Sequence, residues 1–394
     1  MAVATRRRVG LTGNDAVALA WKQIDPDVVA AYPITPSTGI VEKFSQYVAD
    51  GEVGTIFVPV ESEHSAMSAC IGAAAGGARV TTATASQGLA LMHEMLYIAA
   101  GLRLPVTMAV ANRALSAPLN IHGDHSDAMG SRDAGWMQIY ARDVQEAYDT
   151  AILAVRIAEQ TRLPVMVCLD GFTLSHGLEP VERFEDEEVQ AFVGSPAPAY
   201  SILHGPPISV GPLALPDSYM EFRRAQAEAM TLALHAVAEA TEAFNRHFGR
   251  NLPAFLEASG PDDADAAIVL LGGTADVAAE AVARWAEAGR KVQVVRLRLY
   301  RPFPAAAVRA VLARFRRIAV LERADTLSTL GGPLVVDTAA ALYGAAHAPR
   351  LFNRIFGLGG RELRAEDLDA VAALLLGEAD GPPVGYLGVK GDAR

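Results

Sequence analysis

Cysteine is nearly absent. Only Cys70 and Cys168 occur in 394 residues, each in an apolar surround. There is no CxxC pair and no Cys/His cluster, which excludes an iron–sulfur cluster or a structural zinc site held by this chain alone. Both thiols read as core residues of a cytosolic protein, so a cytoplasmic location is expected. Long apolar runs are missing as well: AIVLLGG and PVTMAVA are bounded by glycine, proline or charge well before they could cross a bilayer. At the N-terminus, MAVATRRRVGL carries basic residues with no apolar stretch or small-residue cleavage site behind them, so no secretory signal is expected. Basic residues are outnumbered, and a net charge of −11 argues against a binder of nucleic-acid backbones. Arg6 to Arg8 then read as a solvated tail, and neither nucleic acid nor a membrane is expected as a partner.

The glycine-rich phosphate loops are also lacking. GAAAGG from Gly72 and GLGG from Gly357 do not have the GxGxxG spacing between a strand and a helix, and no GxxxxGK[ST] occurs. Gly72, Gly76 and Gly77 are better read as allowing close helix packing and ending a helix. Internal repeats and low-complexity segments are absent too.

What is present is an alternation. Short β-branched runs (DVVAAYP, GTIFVPV, ARVTTATA, PVTMAVAN, PVMVCLD) alternate with stretches at helical spacing (NDAVALAWKQI, TGIVEKFSQYVAD, EHSAMSACIGAAAG, SQGLALMHEMLYIAAG, DVQEAYDTAILAVRIAEQT). This predicts a doubly wound α/β layer with a mostly parallel sheet over residues 1–172. From 173 to 264 the pattern is lost, and a long extended connection plus one helix is expected. A second α/β unit over 265–394 starts with AAIVLLGG and TADVAAEAVARWAEAG.

In open α/β sheets ligands bind beyond the carboxyl ends of the strands. Those ends carry Ile34-Thr35-Pro36-Ser37-Thr38, Glu61-Ser62-Glu63-His64, Ser86-Gln87-Gly88 and Asn112-Arg113. Such a mixture of hydroxyls, carboxylate, amide and guanidinium suits a small anion beside a basic heterocycle. Pro33 and Pro36 fix the backbone around Thr35, and Ser37 or Thr38 can cap the next helix. A rigid, capped turn accounts for the same residues. Glu61 and Glu63, two positions apart at a strand-to-helix junction, cannot face the same way; one can be a cap while the other points into a crevice. Arg113 either pairs with a structural carboxylate or takes a substrate carboxylate in two hydrogen bonds. The loop after it holds His122, Asp124, His125 and Asp127. This composition invites a metal reading, but the crowding on one glycine-containing loop favours a solvated or substrate-covering loop, and no metal ligand is assigned.

Taken in order, AAYPITPSTGIVEKF, VESEHSAMSACIGAAAGGAR, TTATASQGLALMHEMLY, VANRALSAPLNIHGDHSDAMGSRDAGWMQIY, LPVMVCLDGFTLSH, VGPLALPDSYMEFRR, LYRPFP and GLGGRE resemble the α subunit of 2-oxoacid:ferredoxin oxidoreductases, the pyruvate enzymes above all. The resemblance spans nearly the whole chain. It implies a thiamine diphosphate enzyme with a pyrimidine-binding α/β domain followed by a transketolase C-terminal-like domain. It also implies that Glu63 hydrogen-bonds N1′ of the aminopyrimidine and that Thr35 and Arg113 hold the 2-oxoacid, with Pro33, Ile34 and Ser86 lining the cofactor. The GDG-containing motif that binds the diphosphate through Mg²⁺ does not occur here. By resemblance it belongs, with one [4Fe-4S] cluster, to a β subunit, while a δ subunit carries further clusters and a γ subunit completes the assembly. Ferredoxin is the implied electron acceptor and coenzyme A a substrate. The implied reaction is oxidative decarboxylation of pyruvate to acetyl-CoA, or its reverse. The same chemistry on 2-oxoglutarate, indolepyruvate or a branched-chain 2-oxoacid, and a non-catalytic scaffold subunit, are the alternatives. A nucleotide-binding dehydrogenase subunit would need the missing glycine fingerprint.

Overall fold

Short β-branched runs without alternation need cover on both faces, which a parallel sheet between helices supplies. The computed structural model describes residues 6–391. In it Val28–Ala31, Ile56–Pro59, Val80–Thr84, Thr107–Asn112 and Val165–Asp170 are parallel strands of one seven-stranded sheet. Gly13–Ile24, Thr38–Ala49, Glu63–Ala75 and Val144–Thr161 are the helices between and around them. The SQGLALMHEMLYIAAG stretch forms two helices, Ser86–Leu91 and His93–Gly101, parted at Met92. Val28–Ala31 lies between Ile56–Pro59 and Val80–Thr84. The chain thus winds to one side of Val28–Ala31 and then crosses to the other, which opens a crevice at the carboxyl ends there.

A second, six-stranded sheet takes Ala266–Leu271, Gln293–Leu297, Arg317–Glu322, Arg350–Ile355 and Val384–Tyr386 in parallel, with Leu256–Ser259 antiparallel at one edge. The stretch from 173 to 264 holds more regular structure than one helix. Leu178–Glu182 pairs with Arg8–Thr12 as an antiparallel ribbon, Asp186–Val193 is a short helix, and Tyr219–Phe248 is a long one. Arg6 and Arg8 are accordingly not a free tail. The Arg6 guanidinium lies 4.4 Å over the Phe184 ring, while Arg8 pairs with Glu182 at 2.7 Å. Phe184 stacks on Phe248, with centroids 3.9 Å apart, and this aromatic cluster offers the cation a π face that composition alone does not reveal.

The two sheets are joined rather than merely tethered. Leu299–Arg301, from the second unit, pairs antiparallel with Met137–Tyr140 at the edge of the first sheet. One apolar core runs across the junction, from Met108, Val110 and Tyr140 to Val269, Val295 and Tyr300. Two buried carboxylates reinforce it. Glu146 takes Arg296 at 2.9 Å and Arg298 at 2.5 Å. Asp170 takes Arg323 at 2.8 Å and His125 Nε2 at 2.7 Å on one oxygen, and the Gly273 backbone N–H at 3.1 Å on the other. Burial alone would raise the Asp170 carboxyl, but Arg323 and His125 outweigh it and hold the group well below the ordinary aspartate range.

Substituting Asp170→Asn leaves Arg323 buried without a counter-charge, and breaking a buried pair in this way costs about 3–5 kcal/mol. Urea unfolding of the chain near neutral pH should show a loss of that order; a loss under about 1 kcal/mol would contradict the assignment. Because folding depresses this carboxyl, its stabilisation is complete above the unfolded aspartate range and is lost as pH falls through the folded value. Stability of the Asp170→Asn chain should therefore fall less steeply on acidification than that of the parent.

Candidate active site

The crevice at the carboxyl ends of Val28–Ala31 and Val80–Thr84 gathers four loops. In the first, successive carbonyls are each held by a side chain from a different place. Ser37 Oγ donates to Ile34 O at 2.8 Å, Arg113 to Thr35 O at 2.9 Å, and Asn14 Nδ2 to Pro36 O at 2.9 Å. Ser37 stands at the N-cap position of the Thr38–Ala49 helix, but its hydroxyl turns back to Ile34 instead of capping. Pro33 and Thr35 are exposed and Ile34 is half-buried. Thr35 is thus fixed through its backbone, with its side chain toward solvent.

The second loop separates the two glutamates. Glu61 is exposed and accepts the Ser65 hydroxyl, which holds its carboxyl below the ordinary glutamate range. Glu63 is the first residue of the Glu63–Ala75 helix and only 6% exposed. Its carboxylate lies against Gly88, where an added Cβ would stand 2.6 Å from Glu63 Oε1 and 2.5 Å from Thr84 Oγ1. The Thr84 hydroxyl is fully buried and has no hydrogen-bond partner among the described residues. Gly88 therefore makes room for a carboxylate and a hydroxyl that both face its Cα.

Beside it, Gln87 reaches the other charged group. Arg113 is buried, and its guanidinium donates to Asn120 O at 3.0 Å, Thr35 O at 2.9 Å and Gln87 Oε1 at 3.4 Å. All three acceptors are uncharged, so these contacts orient the cation without neutralising it. Ser86 is fully buried with φ of 49°, and its hydroxyl lies 2.5 Å from Ala114 O and 2.6 Å from Gln87 Oε1. Its side chain thus braces the loop from within.

The loop after Arg113 sends its four polar residues apart. His122 packs on Phe172 with centroids 5.1 Å apart, Asp124 accepts the Gly359 N–H at 3.0 Å, His125 meets Asp170, and Asp127 turns under the site. No cluster of three or more potential metal ligands forms among the described residues. Asp127 accepts the backbone N–H groups of Ser86 and Arg113, each at 2.9 Å, together with Asn112 Nδ2 at 2.8 Å. Burial pushes its carboxyl up to about 6 despite these donors. Gln87, Gly88 and Asp127 stand near the site in sequence, at a strand end or in the loop after Arg113, but sequence alone assigns none of them a part. For Gly88 a signal was available: a glycine four residues beyond a strand end, facing the start of a neighbouring helix.

Against known families, residues 19–242 match the family described as pyruvate flavodoxin/ferredoxin oxidoreductase, thiamine diphosphate-binding, and residues 264–368 match pyruvate:ferredoxin oxidoreductase core domain II. A protein of Thermotoga maritima named pyruvate synthase subunit PorA is 48% identical over 97% of this chain and 98% of its own length. The PorA protein of Methanocaldococcus jannaschii is 46% identical over 92% of this chain and 93% of its own. A ketoisovalerate oxidoreductase subunit VorA of Pyrococcus abyssi is 42% identical over 92% of each. Among solved structures, a 2-oxoglutarate:ferredoxin oxidoreductase of Magnetococcus marinus superposes with a TM-score of 0.70 at 21% identity, over 93% of this chain and 65% of that one. A split-gene transketolase shares the fold, with a TM-score of 0.53 at 14% identity over 93% of this chain and 94% of that one. The chain belongs to the pyruvate flavodoxin/ferredoxin oxidoreductase family, and Glu63 and Arg113 lie within its thiamine diphosphate-binding domain.

Proposed function

We propose that this chain is the α subunit of a pyruvate:ferredoxin oxidoreductase, which converts pyruvate and coenzyme A to acetyl-CoA, carbon dioxide and reduced ferredoxin, or runs the same steps in reverse. One observation carries the reading. Gly88 and Gln87, adjacent in sequence, bring a buried carboxylate and an un-neutralised guanidinium to the same crevice.

The residues fit the pyrimidine end of thiamine diphosphate. An aminopyrimidine carries a ring nitrogen for the Glu63 carboxyl, and the buried Thr84 hydroxyl beside it still lacks a partner. When bound, thiamine diphosphate supplies a carbon nucleophile for the oxo carbon and takes up the electron pair left by departing carbon dioxide. Glu63 shares a proton with N1′, and so sets the protonation of the ring. Arg113 binds the carboxylate of the 2-oxoacid, whose charge it is free to meet. Thr35, with its carbonyl clamped by Arg113, presents its hydroxyl to the oxo group, and Pro33 and Ile34 form the adjoining wall. Ser86 keeps Gln87 and Gly88 in place behind it.

Partner chains complete the enzyme. The word "subunit" in the relatives' names supports this, as does the exposed apolar face of Leu91, Tyr97 and Ile98 on the two helices that begin at Ser86 and His93. In this reading a β subunit holds the diphosphate with its Mg²⁺ and receives electrons on a [4Fe-4S] cluster, while γ and δ subunits link it to ferredoxin. Pyruvate is the substrate of this reading, since relatives named for pyruvate run from 41% to 48% identity and reach above the 42% of one named for ketoisovalerate.

The test is to reconstitute the complex from co-expressed chains and follow coenzyme A-dependent reduction of a viologen across a panel of 2-oxoacids. Pyruvate should give the highest kcat/KM; preference for a branched-chain acid or 2-oxoglutarate would reassign the substrate. Glu63→Gln should lower kcat by about 10²- to 10⁴-fold with assembly intact, the span that proton transfer by a positioned side chain contributes. Near-parental activity in Glu63→Ala would make this a scaffold subunit. Gly88→Ala forces Glu63 and Thr84 aside, and a displacement of about 1 Å at such a site costs about 100-fold in kcat. An unchanged rate in that variant would show that Glu63 does not work where it stands.

A further inference from the structure

Asp127 lies beneath the crevice, 2% exposed, and its carboxylate meets the backbone of Arg113 rather than the guanidinium. Its two oxygens divide four donors. Oδ2 accepts the backbone N–H groups of Ser86 and Arg113, each at 2.9 Å. Oδ1 accepts Asn112 Nδ2 at 2.8 Å and the Ala128 N–H at 2.7 Å. Ser86 follows the strand Val80–Thr84 and Arg113 follows Thr107–Asn112, and these strands are parallel neighbours. Beyond the ends of a parallel ladder the backbone donors of both loops lose their partners, and when buried they must find others. One carboxylate oxygen serves both.

We propose that Asp127 is a positioning residue for the 2-oxoacid carboxylate, setting the place of Arg113 by joining its backbone to that of Ser86. This rests on the reading of Arg113 as the carboxylate binder. Carboxylate chemistry is required at the position. Four N–H donors need an acceptor on both sides, whereas an amide would turn its own N–H groups toward one pair of them. Ser86 adds to the need, since its φ of 49° is a left-handed conformation that a serine keeps only when its surroundings hold it. With Ser86 fixed, Gln87 Oε1 is fixed, and Gln87 Oε1 is one of the three acceptors that aim the guanidinium. With Arg113 N fixed, the side chain starts from a set point. Release of Asp127 therefore loosens Arg113 at both its root and its tip.

The experiment uses the reconstituted complex with pyruvate and coenzyme A as substrates and compares Asp127→Asn, Arg113→Lys and the double variant. Asp127→Asn should raise the pyruvate KM about 10-fold or more, with a smaller effect on kcat, because the loss falls on substrate binding. Arg113→Lys should raise it as well. The double variant should be within about 2-fold of Arg113→Lys alone, since two residues that act through one contact are not additive. Multiplied effects, or an unchanged KM in Asp127→Asn, would overturn the proposal. An unchanged KM in Arg113→Lys would instead overturn the underlying reading. Asp127→Ser, which leaves room for water between the two N–H groups, guards against a misfolded Asn variant. If neither variant co-purifies with the partner chains, position 127 serves folding rather than substrate, and the proposal fails.

Discussion

One buried carboxylate at the junction of the two α/β units governs the rest of the architecture. Asp170 stands at the end of a central strand of the first sheet, yet its partners come from elsewhere: Arg323 and Gly273 from the second unit, His125 from the long loop between strands. Arg323 then donates to Gly123 O, and the His125 N–H donates to Arg323 O at 2.8 Å. In a low-dielectric surround such a network stiffens as its members engage one another; of the Arg323 guanidinium nitrogens only Nε is left without a partner among the described residues. Asn120 and Asp124 extend the attachment to Gly359, at 3.1 and 3.0 Å. The loop from Arg113 to Asp127, which has no regular period of its own, is thereby held by a domain that contributes none of the proposed reacting groups.

The buried charged groups of this protein differ in what they meet, and the crevice holds one of each sign without a counter-charge. Glu146 and Asp170 are saturated by arginines and backbone donors. Glu63 has no ion-pair partner among the described residues and Arg113 meets only uncharged acceptors, although both are buried. A buried charge without a counter-charge is costly to keep, even where neutral groups orient it. At the crevice two opposite charges stand without counter-charges on either side of Gln87 and Gly88. A ligand with a basic ring nitrogen and an anionic substrate would satisfy both at once.

The alternation of short apolar runs with helical stretches made the two parallel sheets legible, and the rule of strand ends pointed to Thr35, Glu63, Ser86 and Arg113. Those features are local. What could not be read depends on contacts distant in sequence. Leu299–Arg301 is too short to announce itself as a strand, and its pairing with Met137–Tyr140 follows from the packing of the units. Ser37 carried a cap signal by position, but the nearby Ile34 carbonyl captured its hydroxyl. Arg6 looked like tail because the aromatic cluster beneath it assembles from Phe184, Phe244 and Phe248, which lie far away along the chain. Asp127 sat in a run that resembled a metal motif by composition, and only the fold shows its neighbours each turned to a different task.

The prolines at positions 33 and 36 can be understood in the same terms. Each removes a backbone donor, so the loop cannot stiffen itself by hydrogen bonds between its own amides. Its carbonyls still need partners, and they receive them from Asn14 in the first helix, Ser37 just before the next and Arg113 across the crevice. The bond from Arg113 to Thr35 O links the two proposed substrate contacts to each other. Arg113 in turn is set by Asp127, whose loop is set by Asp170 and the second unit. Rigidity therefore runs inward from the domain junction to the crevice, and the loop with the most constrained backbone is the last to be placed. A hydroxyl that must meet a small 2-oxoacid in one orientation needs that order, because a contact carried on a loop free to fold by itself would hold its shape but not its position.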